Sequence, residues 1–249
     1  MQLNGKHVVL TGGKGGIGSL LAAQLKAQGA KLTIIDRQEG EDTLVTDLSD
    51  TESLNQTCKH LAQSEVDILI NLAGLMYFGH MQNQSPDHLA VMMRVNLEAP
   101  IRLSQAVLPG MLKRKSGQIV NIGSVFGSLA FPHFSVYSAT KAGLKGFSEA
   151  IRREYTGTGI GVTYIAPRAV KTPLNSGPIV ELHIKTKTVN DPPEKVADII
   201  IQAILQDRKN VTIGFPESLF VRINALYPSI IDNALVSKRD IANEILQRT

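Results

Sequence analysis

The sequence predicts an α/β fold in a single domain: a doubly wound, mostly parallel sheet with helices on both faces. Three observations predict it. Runs that are apolar at nearly every position, such as HVVLT at 7–11 and VDILINLAG at 66–74, read as strands buried on both faces, as in parallel sheets. Segments with helical apolar spacing alternate with those runs, the order that parallel strands need for their crossovers. No linker, internal repeat or low-complexity segment interrupts the alternation, and 249 residues suit one large domain better than two.

Taken in order, HVVLT (7–11) runs into the glycine-rich TGGKGGIG, and an amphipathic helix, SLLAAQLKAQG, follows and stops at Gly29. KLTIID (31–36) is a second strand that ends on an acid, VTDLSD follows it, and TESLNQTCKHLAQ is the next helix. After the strand over 66–74, helical spacing runs from about Pro86 to Lys115, and Pro109 is expected to break it because proline lacks a backbone donor. GQIVNIGS is a strand, a helix carrying Tyr137 follows, and IGVTYIAP (160–167) is a further strand. The 173–192 segment has prolines, a glycine and no periodicity, which suits a covering loop. Over 216–249, Leu219, Ile223, Leu226 and Ile230 recur at helical spacing beside Phe220, Tyr227, Ile231 and Leu235, with Pro228 as a break or kink in a helical extension.

Composition excludes several classes. The lone cysteine, Cys58, rules out an intramolecular disulfide and fits a reducing, cytoplasmic compartment. The six histidines show no metal-ligand spacing, so no metal site is expected. No apolar run approaches the roughly 18 residues that span a bilayer, and no signal peptide fits before the first strand, so integral membrane association is not expected. The net charge is +4, but the basic residues are scattered and Lys113-Arg114-Lys115 is their one tight cluster, at a helix end. Without a basic stripe or a recognisable module, no nucleic-acid partner is expected.

The glycine run fits T-G-x-x-x-G-x-G, with Thr11, Gly12, Gly16 and Gly18 in register and Lys14 and Ile17 between them. It follows a first strand and opens a helix. There glycines admit a tight turn and let a pyrophosphate approach the backbone at a helix N-terminus. Asp36 closes the second strand, 18 residues after Gly18, where an acid binds the ribose hydroxyls of an adenine dinucleotide. Its charge favours NAD(H) by repelling a 2′-phosphate; Arg37 and Lys14 keep NADP(H) possible. No G-x-x-x-x-G-K-[ST] is present, which disfavours a nucleotide triphosphatase.

A second constellation lies between Asn121 and Lys141. Ser124 ends a strand, and Tyr137 and Lys141 stand four apart on one helical face. Such a pair alone is commonly a surface contact contributing a few tenths of a kcal/mol. Beside a dinucleotide loop it reads differently. A close cation favours the phenolate, and moving a tyrosine from about 10 to about 7 takes roughly 4 kcal/mol of differential interaction. With Ser124 donating to the same oxygen, the three would move a proton on or off a carbonyl or alcohol oxygen.

Together with Asp47-Leu48, Asn71-Leu72-Ala73-Gly74, Asn96, and Pro167 with Thr172, these motifs resemble the short-chain dehydrogenase/reductase family over nearly the whole chain. The resemblance implies a Rossmann fold and an NAD(P)-dependent oxidoreductase acting on a small carbonyl or alcohol. It implies Tyr137 as general acid/base, Lys141 lowering its pKa and holding the nicotinamide ribose, Ser124 orienting the substrate, and Asn96 in a proton relay. Asp47 and Leu48 would meet the adenine, although Asp47 also reads as part of a helix N-cap region. Asn71, Ala73, Gly74, Pro167 and Thr172 would complete the cofactor site. The family's glycine after the proline is Arg168 here, whose side chain must find a phosphate or an acid elsewhere.

The family pattern also implies a homo-dimer or homo-tetramer built on the Tyr137 helix and the helix from about 86, with Leu89, Met92, Met93, Leu144 and Phe147 as apolar positions to spare. Met76, Tyr77, Phe78, Phe126, Phe131, Phe134 and Leu174 suggest an apolar substrate pocket, although core filling accounts for each equally well. In 216–249 basic and acidic residues balance, so the segment is expected to pack on protein near the substrate entrance or an oligomer contact rather than on a membrane. Two alternatives remain open: a non-catalytic dinucleotide sensor, and a dehydratase or epimerase using the same tyrosine.

Overall fold

A computed structural model describes residues 2–248. Its seven strands are β1 (His7–Thr11), β2 (Lys31–Asp36), β3 (Thr43–Val45), β4 (Ile68–Asn71), β5 (Gly117–Ile122), β6 (Ile160–Ala166) and β7 (Asn210–Thr212). They form one all-parallel sheet in the order β3-β2-β1-β4-β5-β6-β7. The order reverses direction between β1 and β4, so a crevice opens at the carboxyl ends of those strands.

The apolar strands are buried on both faces for a period-2 reason. Val8, Leu10, Ile68, Ile70, Val120 and Ile122 point to one cluster, against α1 (Gly16–Ala27) and α7 (Pro193–Leu205). Val9, Leu69, Ile119 and Val162 point to the other, against α2 (Thr51–Ala62), α4 (Ala99–Arg114) and α5 (Ser135–Glu154).

Several expectations need correction. The strand expected over 66–74 is paired only at Ile68–Asn71. Beyond it the Leu72 and Ala73 amides turn to donate to Thr11 Oγ1, each at 3.0 Å. The first helix begins at Gly16, so the glycine loop supplies its first turn. β3 and β7, three residues each and only partly buried, carry no apolar signal.

Pro109 does not break its helix, which continues to Arg114 and ends with Lys115 in the left-handed region at φ 53°. Pro109 and Gln105, the residue four before it whose carbonyl the missing donor would have paired, are both exposed, so water meets the freed carbonyl. The 86–115 stretch is not one uniform helix either. α3 (Pro86–Met93) is capped by Ser85, whose Oγ accepts from the His88 amide at 3.2 Å, and a π turn over Arg94–Glu98 separates it from α4.

The 173–192 segment contains a helix, α6 (Pro178–Lys185), because Ile179 and Leu182 bury one side of it. Pro228 does break the carboxyl-terminal pattern, into α8 (Glu217–Leu226) and α9 (Pro228–Leu246) with the proline in the first turn of the second helix. Of the apolar positions expected to be spare, Met92 and Leu144 are core residues at 0% and 1% exposure, and only Met93, at 37%, is open. No helix among the described residues is long and apolar enough to cross a membrane.

Candidate active site

The crevice between β1 and β4 holds a groove of about 540 Å³. Gly12, Lys14, Gly16, Ile17 and Gly18 line it from the loop, Asp36 and Arg37 from the end of β2, and Asp47 and Leu48 from the turn before α2. Ala73 and Gly74 line it after β4, and Thr172 after β6. Gly12 sits at φ +70°, and a Cβ there would come within 2.9 Å of the Ala73 backbone. A Cβ on Gly18 would collide with the Gly12 carbonyl oxygen. Gly12 and Gly18 therefore admit no side chain, and the chain there brings bare backbone to the start of α1, the cradle an anion needs.

Asp36 is held in place: its Oδ2 accepts from the Lys14 amide at 3.0 Å and its Oδ1 from the Gln38 amide at 3.2 Å. Asp47 is not the cap of α2; Asp50 is, accepting from the Ser53 amide at 2.7 Å. Asp47 Oδ1 instead accepts from the amide and hydroxyl of Ser49 at 2.8 and 2.6 Å, and these bonds hold its carboxyl below the usual range.

Asn71 is not brought to the groove. It is 2% exposed beneath it, and its Nδ2 donates to Asn121 Oδ1 at 2.8 Å. Asn121 Nδ2 in turn donates to Ser148 Oγ at 2.8 Å, so these side chains stitch β4 and β5 to α5.

A second cavity, of about 510 Å³, adjoins the groove and shares Ile17, Leu72, Gly74, Thr172 and Leu174 with it. Ser124, Tyr137, Lys141 and Pro167 line this second cavity near that junction. Ser124 leaves β5 in extended conformation and its Oγ accepts from the Phe126 amide at 3.1 Å, so it caps a short 3-10 turn (Val125–Gly127) and still faces the cavity. Tyr137, in the first turn of α5, lines the same cavity as Ser124, whose side chain favours its phenolate. Lys141 Nζ lies 5.8 Å from the Tyr137 ring centroid and donates to the Ile122 carbonyl at 3.0 Å.

The expected electrostatics are corrected here. Burial pushes the Tyr137 phenol up, with Ser124 opposing, and burial brings Lys141 down to about 8. Tyr137 and Lys141 are 7% and 4% exposed, so desolvation outweighs any help the ammonium gives the phenolate.

Asn96 sits at the centre of the π turn, fully buried. Its Oδ1 accepts from the Leu75 amide at 2.7 Å and its Nδ2 donates to the Leu75 carbonyl at 2.8 Å and to Thr140 Oγ1 at 3.1 Å. A π turn inserts one residue and re-aims its side chain, which is how Asn96 reaches across to the segment after β4.

Of the aromatic and apolar candidates, Met76, Phe126, Phe131, Phe134 and Leu174 line the second cavity. Tyr77 and Phe78 do not; Phe78 stacks on Phe134 at 4.9 Å and Tyr77 meets His88 edge-on at 5.5 Å. Sequence reasoning missed Leu129, Asn175, Leu182, His183, Val189 and Lys238 on the same wall. Phe220, Ile231 and Leu235 of the carboxyl-terminal stripe also reach it. Arg168 turns to acids: Asp191, with Nε and Nη2 at 2.8 and 3.0 Å, and Glu217, with Nη1 at 3.0 Å.

Comparison with known proteins shows the family and the fold. The family model for short chain dehydrogenases matches residues 6–178. The Xenopus laevis protein named dehydrogenase/reductase SDR family member 7B is 30% identical over 254 residues, covering 90% of this chain and 78% of its own. The Vibrio harveyi 3-oxoacyl-[acyl-carrier-protein] reductase FabG is 30% identical over 205 residues, 77% of this chain and 80% of its own. A crystal structure of a short chain dehydrogenase from Burkholderia cenocepacia J2315 in complex with NADP superposes with a TM-score of 0.80 over 95% of this chain and 100% of that one, at 21% identity, a likeness of fold.

Proposed function

The chain belongs to the short-chain dehydrogenase family, and from that premise we propose that it interconverts an apolar ketone or aldehyde and its alcohol, with Tyr137 as the proton donor and acceptor. The observation that carries this reading is the meeting of Ser124, Tyr137 and Lys141 where a dinucleotide-sized groove opens into an apolar cavity. The loop that a Cβ would fill and the fixed Asp36 carboxylate fit an adenine dinucleotide, with Thr172 and Pro167 toward its nicotinamide end. When bound, the cofactor supplies or accepts the hydride.

The protein's own part is the proton. In reduction Tyr137 gives its phenolic proton to the carbonyl oxygen as that oxygen gains charge. In oxidation it takes the proton from the alcohol. Ser124 hydrogen-bonds to the same oxygen and fixes its place. Lys141, next to the phenol on the same helical face, favours the phenolate whenever it is charged. Asn96 orients the Leu75 segment beside Lys141 through its paired bonds to that backbone. The 173–192 segment and α8–α9 serve as the cover of the apolar cavity. Half-buried Cys58, alone in the chain, supports a cytoplasmic setting.

NAD(H) is the preferred cofactor on this reading, because a 2′-phosphate would sit beside the Asp36 carboxylate. In fluorescence titrations NADH is expected to bind about tenfold or more tighter than NADPH, and Asp36→Ala should erase or invert that ratio by leaving Arg37 and Lys14. Tighter NADPH binding by the unaltered protein would overturn the preference. A homo-oligomer through α5 and the helical stretch from 86, α3 with α4, is the accompanying expectation; a concentration-independent monomer in sedimentation at micromolar protein would contradict it.

A further inference from the structure

Arg168 stands where the family has a glycine, and its backbone needs none, since it lies outside the left-handed region. Its side chain joins three segments. The Nε and Nη2 groups donate to the two oxygens of Asp191 at 2.8 and 3.0 Å, and Nη1 donates to Glu217 Oε2 at 3.0 Å and to the Phe215 carbonyl at 3.2 Å. Asp191 is 3% exposed and is pinned by backbone as well, its amide donating to Ala169 at 2.8 Å and its carbonyl accepting from Lys171 at 3.0 Å. Room for the guanidinium comes from Gly214: a Cβ there would lie 2.6 Å from Arg168 Cδ.

The segments so joined are the end of β6, the base of the 173–192 cover, and the first turn of α8. α8 has no buried residue, and beyond this clamp its side-chain hydrogen bond to the body is Asn224 Nδ2 to the Ser128 carbonyl at 2.9 Å. Yet Glu217 and Phe220 of α8, with Ile231 and Leu235 of α9, line the apolar cavity. Val221 and Ile223 of α8 pack only partly buried against Val125, Leu129 and Ile231, so polar contacts carry a large share of what holds this helix in position.

We propose that Arg168 is a positioning residue for the substrate, clamping α8 to the nicotinamide end of the site and so fixing the height of the cavity's roof. A bidentate, nearly buried guanidinium suits this, because it holds direction as well as distance, which a lysine cannot. The proposal rests on the reading that the apolar cavity takes the substrate.

The test uses Glu217→Ala, which releases only the α8 arm, and Arg168→Lys, which keeps the charge but loses the fork. Hydrogen exchange of the α8 amides is expected to quicken about tenfold in both. The ratio of kcat/KM for a bulky apolar ketone to that for a small one should fall about fivefold, through KM rather than kcat. Cofactor affinity should not move, and the double variant should be no worse than Arg168→Lys, since both remove one interaction. Unchanged exchange in Glu217→Ala, or faster exchange with an unchanged ratio, would overturn the proposal. So would weakened cofactor binding with equal loss on both substrates, which would place Arg168 on the cofactor instead. Absence of any turnover by the unaltered protein would defeat the enzymatic reading, while the exchange result would still decide the clamp.

Discussion

Tyr137→Phe is expected to lower kcat by about three orders of magnitude while leaving the fold and cofactor affinity intact. The substitution removes one oxygen from a residue that is 7% exposed, belongs to a buried cluster with Met92, Phe134 and Val136, and meets the Phe126 ring edge-on at 6.3 Å. The ring stays, so the packing stays. What goes is the group that can donate to or accept from the substrate oxygen. KM should change little, because ground-state binding comes from the apolar wall. Steady-state kinetics beside a cofactor titration check this, and near-normal turnover would remove Tyr137 from the chemistry.

The second large effect has two opposite parts. Lys141→Met should cut turnover by about two orders of magnitude or more, and should also stabilise the cofactor-free protein. Burial lowers Lys141 from 10.5 to about 8, so between those values the unfolded chain binds more protons than the folded one. Stability therefore rises as pH climbs from about 8 to 10.5, and below 8 the buried ammonium costs the full difference, on the order of 3 kcal/mol. Methionine fills similar volume without that cost, but leaves the Ile122 carbonyl without its donor. The net gain near pH 7 should be about 2 kcal/mol, which raises Tm by several degrees in a domain of this size. The gain should shrink to nothing, or reverse, by pH 10.5. A lower Tm for the variant at pH 7, or a gain that does not depend on pH, would show that the lysine is not a desolvated cation.

Much of this architecture could be read from the residues. Strands such as Val8–Leu10 and Ile68–Ile70 declare themselves because both faces are buried. The glycine loop, Asp36, Tyr137 and Lys141 declare themselves because the chemistry needs those residue types at that spacing. The direction of the Tyr137 shift could not be read, since spacing reports the neighbour and says nothing of how deeply both groups are buried.

Nor could the partners of Arg168, which lie 23 and 49 residues away and meet it only once β6, the cover and α8 have folded. Asn71 shows the opposite limit. Its motif points at a cofactor, while its side-chain amide nitrogen is turned to Asn121 beneath the groove. α6 was hidden because only Ile179 and Leu182 are buried in its eight residues, too few to set a period. Pro109 misled because a lost hydrogen bond is cheap where its carbonyl faces water.

The decisive measurement is oxidation of NADH and NADPH, followed at the nicotinamide absorbance, by the purified protein with a panel of apolar ketones and aldehydes, with Tyr137→Phe run alongside. Cofactor oxidation matched one-for-one by alcohol formation, and all but abolished in the variant, is the expected result. Tight cofactor binding with no oxidation on any member of the panel, or conversion of substrate by loss of water or inversion without net consumption of cofactor, would contradict a carbonyl reductase.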